Sequence, residues 1–112
     1  MPATFRVDIS SAAENDIQEI WSFIARDDPE TATRFIRQLK KRVNTLQRSP
    51  RRCPLISENT LMHSRYRHLV YGKYRAIFRI SDKRVLIVRV IHAARLLDPS
   101  SIDPVAMGIS ER

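Results

Sequence analysis

Five arginines, Arg67, Arg75, Arg79, Arg89 and Arg95, fall in or beside β-like runs between Tyr66 and Arg95. Strand propensity does not place arginine there. A guanidinium presents a planar fork of donors that matches carboxylate or phosphate oxygens, so such a cluster is a candidate anion site. Arg75, Arg89 and Arg95 are accordingly the candidates for contact with a target or an anion. Cleaving RNA would also need a base for the 2′-hydroxyl and an acid for the leaving oxygen. His92 is the acid/base group beside Arg95, so Arg75, His92 and Arg95 form the catalytic set if the chain is a ribonuclease. After Arg95 the chain has no Tyr, His or Lys, so His92 is the only acid/base candidate nearby. The simpler reading of His92 is a histidine packed at a strand end with its ring hydrogen-bonded. By parity it points inward with Val88 and Val90.

Other chemistry is thinly represented. His63 and His68 have no Cys, Asp or Glu companion at ligand spacing, so no metal site is expected. With Gly72 and Gly108 alone there is no Gly-rich phosphate loop, and no cofactor is suggested. Ser11 and Glu14 have the spacing of a helix capping box rather than of a nucleophile and its base. Twenty Lys and Arg against twelve Asp and Glu leave a net charge of +8, which points to an anionic partner. A single cysteine, Cys53, fits a reducing compartment. No apolar run approaches the ~20 residues of a membrane span, and the N-terminus lacks the apolar region of a signal peptide. The expectation is a cytoplasmic protein without a membrane partner.

The elements that must position these residues can be read from periodicity. Thr4 to Ile9 alternates as a first strand, with Phe5, Val7 and Ile9 on one side. A helix opening at Ser11 carries Ala13, Ile17, Ile20, Trp21 and Ile24 on one face, with Asp16, Glu19 and Arg26 on the other. Asp28-Pro29 ends it and starts a second helix, Asp28 as cap and Pro29 in the first turn. That helix buries Ala32, Phe35, Ile36, Leu39, Val43 and Leu46, presents Arg34, Arg37, Lys40, Lys41 and Arg42 outward, and stops at Ser49-Pro50. Residues 51–65 are irregular, with room for one short strand or helical turn. Three antiparallel strands follow: Tyr66–Tyr71, Tyr74–Ile80 and a central Val85–Ile91. Tyr74, Ala76, Phe78, Ile80, Leu86, Val88 and Val90 are expected beneath the helices. A three-residue turn at Ser81-Asp82-Lys83 would set Arg75 opposite Arg89, where like charges need an acidic group between them; a two-residue turn would put them on opposite faces. The order β-α-α-β-β-β defines one α+β domain, a helical hairpin packed on a small, mainly antiparallel sheet. The domain is placed at residues 1–95, and the tail, 96–112, is expected to be partly disordered.

This order, with V-D-I-S-S-A-A-E-N-D-I-Q-E-I-W-S-F-I-A, D-D-P-E-T-A-T-R-F, G-K-Y-R-A-I-F-R-I and V-L-I-V-R-V-I-H-A-A-R in sequence, resembles the RelE/ParE superfamily of bacterial toxins from Val7 to Arg95. The long hairpin and the H-A-A-R ending are most similar to the ParE branch. The resemblance implies the toxin of a type II toxin–antitoxin pair, often carried on plasmids. It further implies a non-enzymatic inhibitor of DNA gyrase that arrests growth and is neutralised by a short, acidic, ParD-like antitoxin in a hetero-oligomer. Arg34, Arg37 and Lys41 are the candidate antitoxin contacts, although exposed arginines such as Arg34, Arg37, Arg48, Arg51 and Arg52 are ordinarily just solvated. The RelE branch implies instead a ribosome-dependent mRNA endoribonuclease, with Arg75 and Arg95 where that branch carries phosphate-binding arginines. A third reading, a basic nucleic-acid-binding module, lacks a groove-entering element or aromatic platform.

Overall fold

The computed structural model describes residues 4–62 and 64–102. Strand β1 (Arg6–Ile9) leads into helix α1 (Ser11–Ala25), then α2 (Pro29–Asn44), a 3-10 turn at Thr45–Gln47 and another at Pro50–Arg52. A four-residue helix α3 (Asn59–Met62) precedes β2 (Arg67–Tyr71), β3 (Tyr74–Ser81) and β4 (Arg84–His92). The sheet order is β1-β4-β3-β2, with β1 parallel to β4 and the other pairs antiparallel. The architecture is the expected α+β domain, and β4 is the internal strand that its nearly unbroken apolar run implies.

Local chemistry sets the helix ends. Asp28 caps α2, its carboxylate accepting from the Glu30 N–H at 3.0 Å and from the Thr31 N–H, with Pro29 in the first turn. The α1 cap is Ser10, one residue before the expected Ser11: its hydroxyl accepts from the Ala13 N–H at 3.1 Å and donates to the Val88 carbonyl at 3.0 Å. Glu14 therefore falls outside a capping box and pairs with Lys40 at 3.6 Å. The regular part of α2 ends at Asn44, and the 3-10 turn that follows carries Leu46 into the core. Gly72, at φ +59°, turns β2 into β3; a Cβ there would stand 3.3 Å from the Phe35 ring.

Each face of the sheet has its own core. On one, Ala13, Ile17 and Ile20 of α1 and Leu39 and Val43 of α2 close over Ala76, Phe78, Val85, Ile87 and Val90. Tyr74 and Ile80 are partly buried at its margin. On the other, Ile77, Val88 and Ile91 meet Ile56 and Tyr66 from the loop before β2, and Leu97 and Ile102 from the segment after β4. Leu86 and Val88 thus face away from the helices, a correction to the expected core. The two-residue turn before β4 sets Leu86 opposite Arg79, on the outer face, and a β-bulge further along returns Val90 to the helix side. Ile77 pairs with Arg89 and Phe78 with Ile87, so Val88 is the extra residue and alternation along β4 is interrupted there.

The bulge also settles the arginine geometry. Ser81 pairs with Arg84 across a two-residue turn, Asp82-Lys83. Without a bulge that turn would separate Arg75 and Arg89 to opposite faces. With it, Arg75 pairs with Ile91 and Arg89 with Ile77, so the two arginines share a face one rung apart. Trp21, expected in the core stripe, is half-exposed, and its indole N–H donates to the Thr33 hydroxyl at 3.1 Å. The segment 96–102 is anchored by buried Leu97 and Ile102 with a 3-10 turn at Pro99–Ser101, while the apolar tail residues Val105, Met107 and Ile109 lie outside the described residues.

Candidate functional site

Of the candidate arginines, Arg75 and Arg89 leave the sheet on the face opposite the helices, and both are taken up by carboxylates of this chain. Arg75 projects from β3 into the second core and is 5% exposed. It forms a close ion pair with Glu58, Nη2 to Oε2, and a longer contact from Nη1 to Oε1 at 3.4 Å. Nη2 also donates to the Arg95 carbonyl at 2.7 Å. Nη1 lies 3.1 Å from Nδ1 of His68. A guanidinium only donates, so Nδ1 must be the acceptor and the ring is neutral, with its proton on Nε2. Burial and the adjacent Arg75 charge both hold the His68 pKa below its ordinary value. Glu58 also accepts the Leu97 N–H at 2.8 Å. Burial works to raise the Glu58 pKa, but the Arg75 hydrogen bond and backbone N–H groups outweigh it and hold it at about 2.

Arg89 has a second, separate carboxylate. Its Nε and Nη2 grip Asp16 at 2.6 and 2.7 Å, and Nη1 donates to the Ser101 carbonyl at 3.3 Å. Asp16 was expected on the outer side of α1; it is 8% exposed. It also accepts the Val90 N–H at 2.9 Å, beyond the last β1–β4 rung at Ile9–Ile87. Past the end of β1 the edge of β4 would otherwise be left with an unpaired donor, and Asp16 supplies the acceptor. The hydrogen bond to Asp16 accordingly raises the Arg89 pKa. The acidic groups that two neighbouring arginines require are therefore part of this chain, not of a partner.

The remaining candidates are dispersed. Arg95 is exposed, with its backbone rather than its guanidinium held in place. His92 is exposed instead of turned inward: it stacks edge-on to Tyr74 at 5.7 Å, and its Nδ1 accepts the Ala94 N–H at 3.1 Å. Arg75, His92 and Arg95 do not converge on a shared point, because Arg75 is sealed under residues 95–97. Arg67 donates to the Cys53 carbonyl at 2.6 Å and to the Arg51 carbonyl at 3.2 Å. Arg34, Arg37 and Lys41 are all exposed along α2. Glu58 and His68 were not anticipated as partners of Arg75: Glu58 is 17 residues away in an irregular loop, and a buried ion pair leaves no periodic trace. His63 lies outside the described residues. Among the described residues no group of three or more His, Cys, Asp or Glu is placed to hold a metal ion, and no helix is long and apolar enough to cross a membrane.

The fold is that of the RelE/ParE superfamily of toxins. One structural relative is the chromosomal ParDE toxin–antitoxin system from P. aeruginosa, at TM-score 0.64 and 19% identity, covering 80% of this chain and 97% of that one. Another is the toxin–antitoxin complex RelBE2 from Mycobacterium tuberculosis, at TM-score 0.55 and 23% identity, covering 83% of this chain and 95% of that one. No curated protein matches the sequence. The family model for the ParE toxin of type II toxin–antitoxin systems matches residues 7–97, and the chain belongs to that family.

Proposed function

We propose that this toxin arrests growth by inhibiting DNA gyrase, without cleaving RNA, and that a short acidic antitoxin neutralises it. The observation that carries this reading is the burial of Arg75. A phosphate-binding arginine must reach its substrate with open donors, yet here the guanidinium is committed to Glu58 and the Arg95 carbonyl beneath Leu97. Placing a phosphate there would mean removing an internal carboxylate and lifting off the segment that covers it. His92, the neighbouring acid/base group, already uses Nδ1 to accept a backbone N–H.

The antitoxin reading rests on α2 and on the free edge of β2. Arg34, Arg37 and Lys41 form an exposed cationic face for acidic residues. Beyond the bridge of Leu55 to Arg67, β2 has no outer neighbour among the described residues, and Val70 stands 49% exposed there. An antitoxin segment lying over the hairpin and along this edge would bury on the order of 2,000 Å². The deciding experiment pairs a supercoiling assay on purified gyrase with primer extension on ribosome-bound message. Inhibited supercoiling with intact message is expected; cuts at ribosome-positioned codons with unaffected gyrase would move the activity to the ribonuclease reading.

A further inference from the structure

A groove of about 560 Å³ lies between α1, the Gly72-Lys73 turn and the end of β4. Its base is apolar, formed by Ile20 and Tyr74, and Phe23 stands beside it 64% exposed. Trp21, two residues before Phe23, turns toward α2 to reach Thr33, so Phe23 projects away from the antitoxin-facing helix. Lys73, His92 and Arg95 rim the same groove; all are exposed, and none has an ion-pair partner among the described residues. Arg26 joins Lys73 and Arg95 as a third cation, its guanidinium 6.0 Å from the Phe23 ring centroid. Arg89 and Asp16 neutralise each other in the lining, which leaves Glu19 as the carboxylate there without an ion pair among the described residues.

This composition selects an occupant. The excess of cations favours acidic residues, and the phenyl ring over an apolar base favours one aromatic or branched apolar anchor, the usual make-up of an interface hot spot. Glu19 would repel a phosphate backbone, but it can accept a backbone N–H or pair with a basic side chain of a protein segment. We propose that this groove grips the toxin's target protein at an acidic segment bearing one aromatic or branched apolar side chain. The proposal rests on the toxin reading and separates the target-binding surface from the cationic face of α2.

The test compares the wild type with Phe23→Ala, with Lys73→Glu/Arg95→Glu, and with Arg48→Glu/Lys83→Glu, which changes the charge equally elsewhere on the exposed surface. Growth arrest on induction, inhibition of purified gyrase, affinity for the purified antitoxin and binding to a labelled DNA duplex are measured for each. Both groove variants should lose about tenfold or more in growth-arrest potency, as truncation of an interface anchor does, with antitoxin affinity kept within about threefold. The control should match the wild type. Groove variants that arrest growth as the wild type does would overturn the proposal, as would an equal loss of antitoxin binding. Loss of duplex binding in step with growth arrest would replace the protein partner by nucleic acid. Groove variants that lose growth arrest when the wild type leaves gyrase untouched would retain the groove and discard gyrase. A wild-type chain that does not arrest growth would discard the toxin reading and this proposal together.

Discussion

The two faces of the sheet are closed by different physics. The helix-covered face is apolar throughout, with Phe78, Ile87 and Leu39 fully buried and no ion pair among the residues that form it. Its stability comes from area removed from water, on the order of 25 cal/mol per Å² of apolar surface. The second face has fewer large apolar groups and a loop and terminal segment in place of helices. There Arg75 and Arg89 reach across to the Arg95 and Ser101 carbonyls, and Glu58 to the Leu97 N–H. Irregular backbone lacks internal hydrogen bonds, so covering a sheet with it requires side chains that satisfy its polar groups. Arginines in strands are, in this molecule, what lets a loop take the place of a helix.

The contrast can be broken from either side. The largest loss is expected for Phe78→Ala, about 3–5 kcal/mol by cavity formation under the helices. Chemical denaturation measures it, and a loss below about 1 kcal/mol would contradict the assigned face. Arg75→Met should cost about 3 kcal/mol, chiefly because Glu58 is left charged and unpaired in the second core. The same denaturation series should show that cost shrinking in acid, where Glu58 can protonate.

Acid titration of the wild type separates the two faces without mutation. The Glu58 pKa is depressed from 4.5 to about 2, so its contribution is complete above pH 4.5 and is lost as pH falls toward 2. The loss is about 3 kcal/mol, set by the size of that shift. The His68 pKa is also depressed, so the unfolded state takes up a proton first and stability begins to fall below about pH 6.5. Denaturation midpoints should decline in these two stages, and Phe78→Ala should leave the shape of that profile unchanged. The smallest effect is expected outside both cores. Arg34→Ala/Arg37→Ala/Lys41→Ala should barely change stability, but should slow antitoxin association and flatten its salt dependence, as rim charges do. Stopped-flow kinetics at two ionic strengths would show this, and an unchanged on-rate would remove α2 from the interface.

The helix-covered face could be read from the sequence because apolar burial leaves a period. The stripes Ala13, Ile17, Ile20 and Ala32, Leu39, Val43 are helical, and Ala76 with Phe78 alternate as a strand. The other face could not. Its central contacts join Glu58 to Arg75 and Asp16 to Arg89, pairs 17 and 73 residues apart, and sequence spacing says nothing about such meetings. The two-residue turn reversed the parity of Leu86 and Val88 and one extra residue at Val88 restored that of Val90, and nothing in an unbroken apolar run marks where a bulge falls. Arg75, Arg89 and Arg95 stood out for a sound reason, their improbable place in strands. What the type and position of an arginine cannot convey is whether its carboxylate comes from a partner or from the same chain.

On the proposed reading, Arg75 serves the fold and not the activity. The double variant Glu58→Gln/Arg75→Met tests it most directly. Its new side-chain amide oxygen can still accept the Leu97 N–H, while the buried charge pair is replaced by a neutral, well-filled one. Thermal unfolding should place this double variant closer to the wild type than Arg75→Met alone, and on induction it should arrest growth at the wild-type dose. A double variant that folds as stably as the wild type but no longer arrests growth would show that the Arg75 guanidinium acts on a substrate, and would contradict the account.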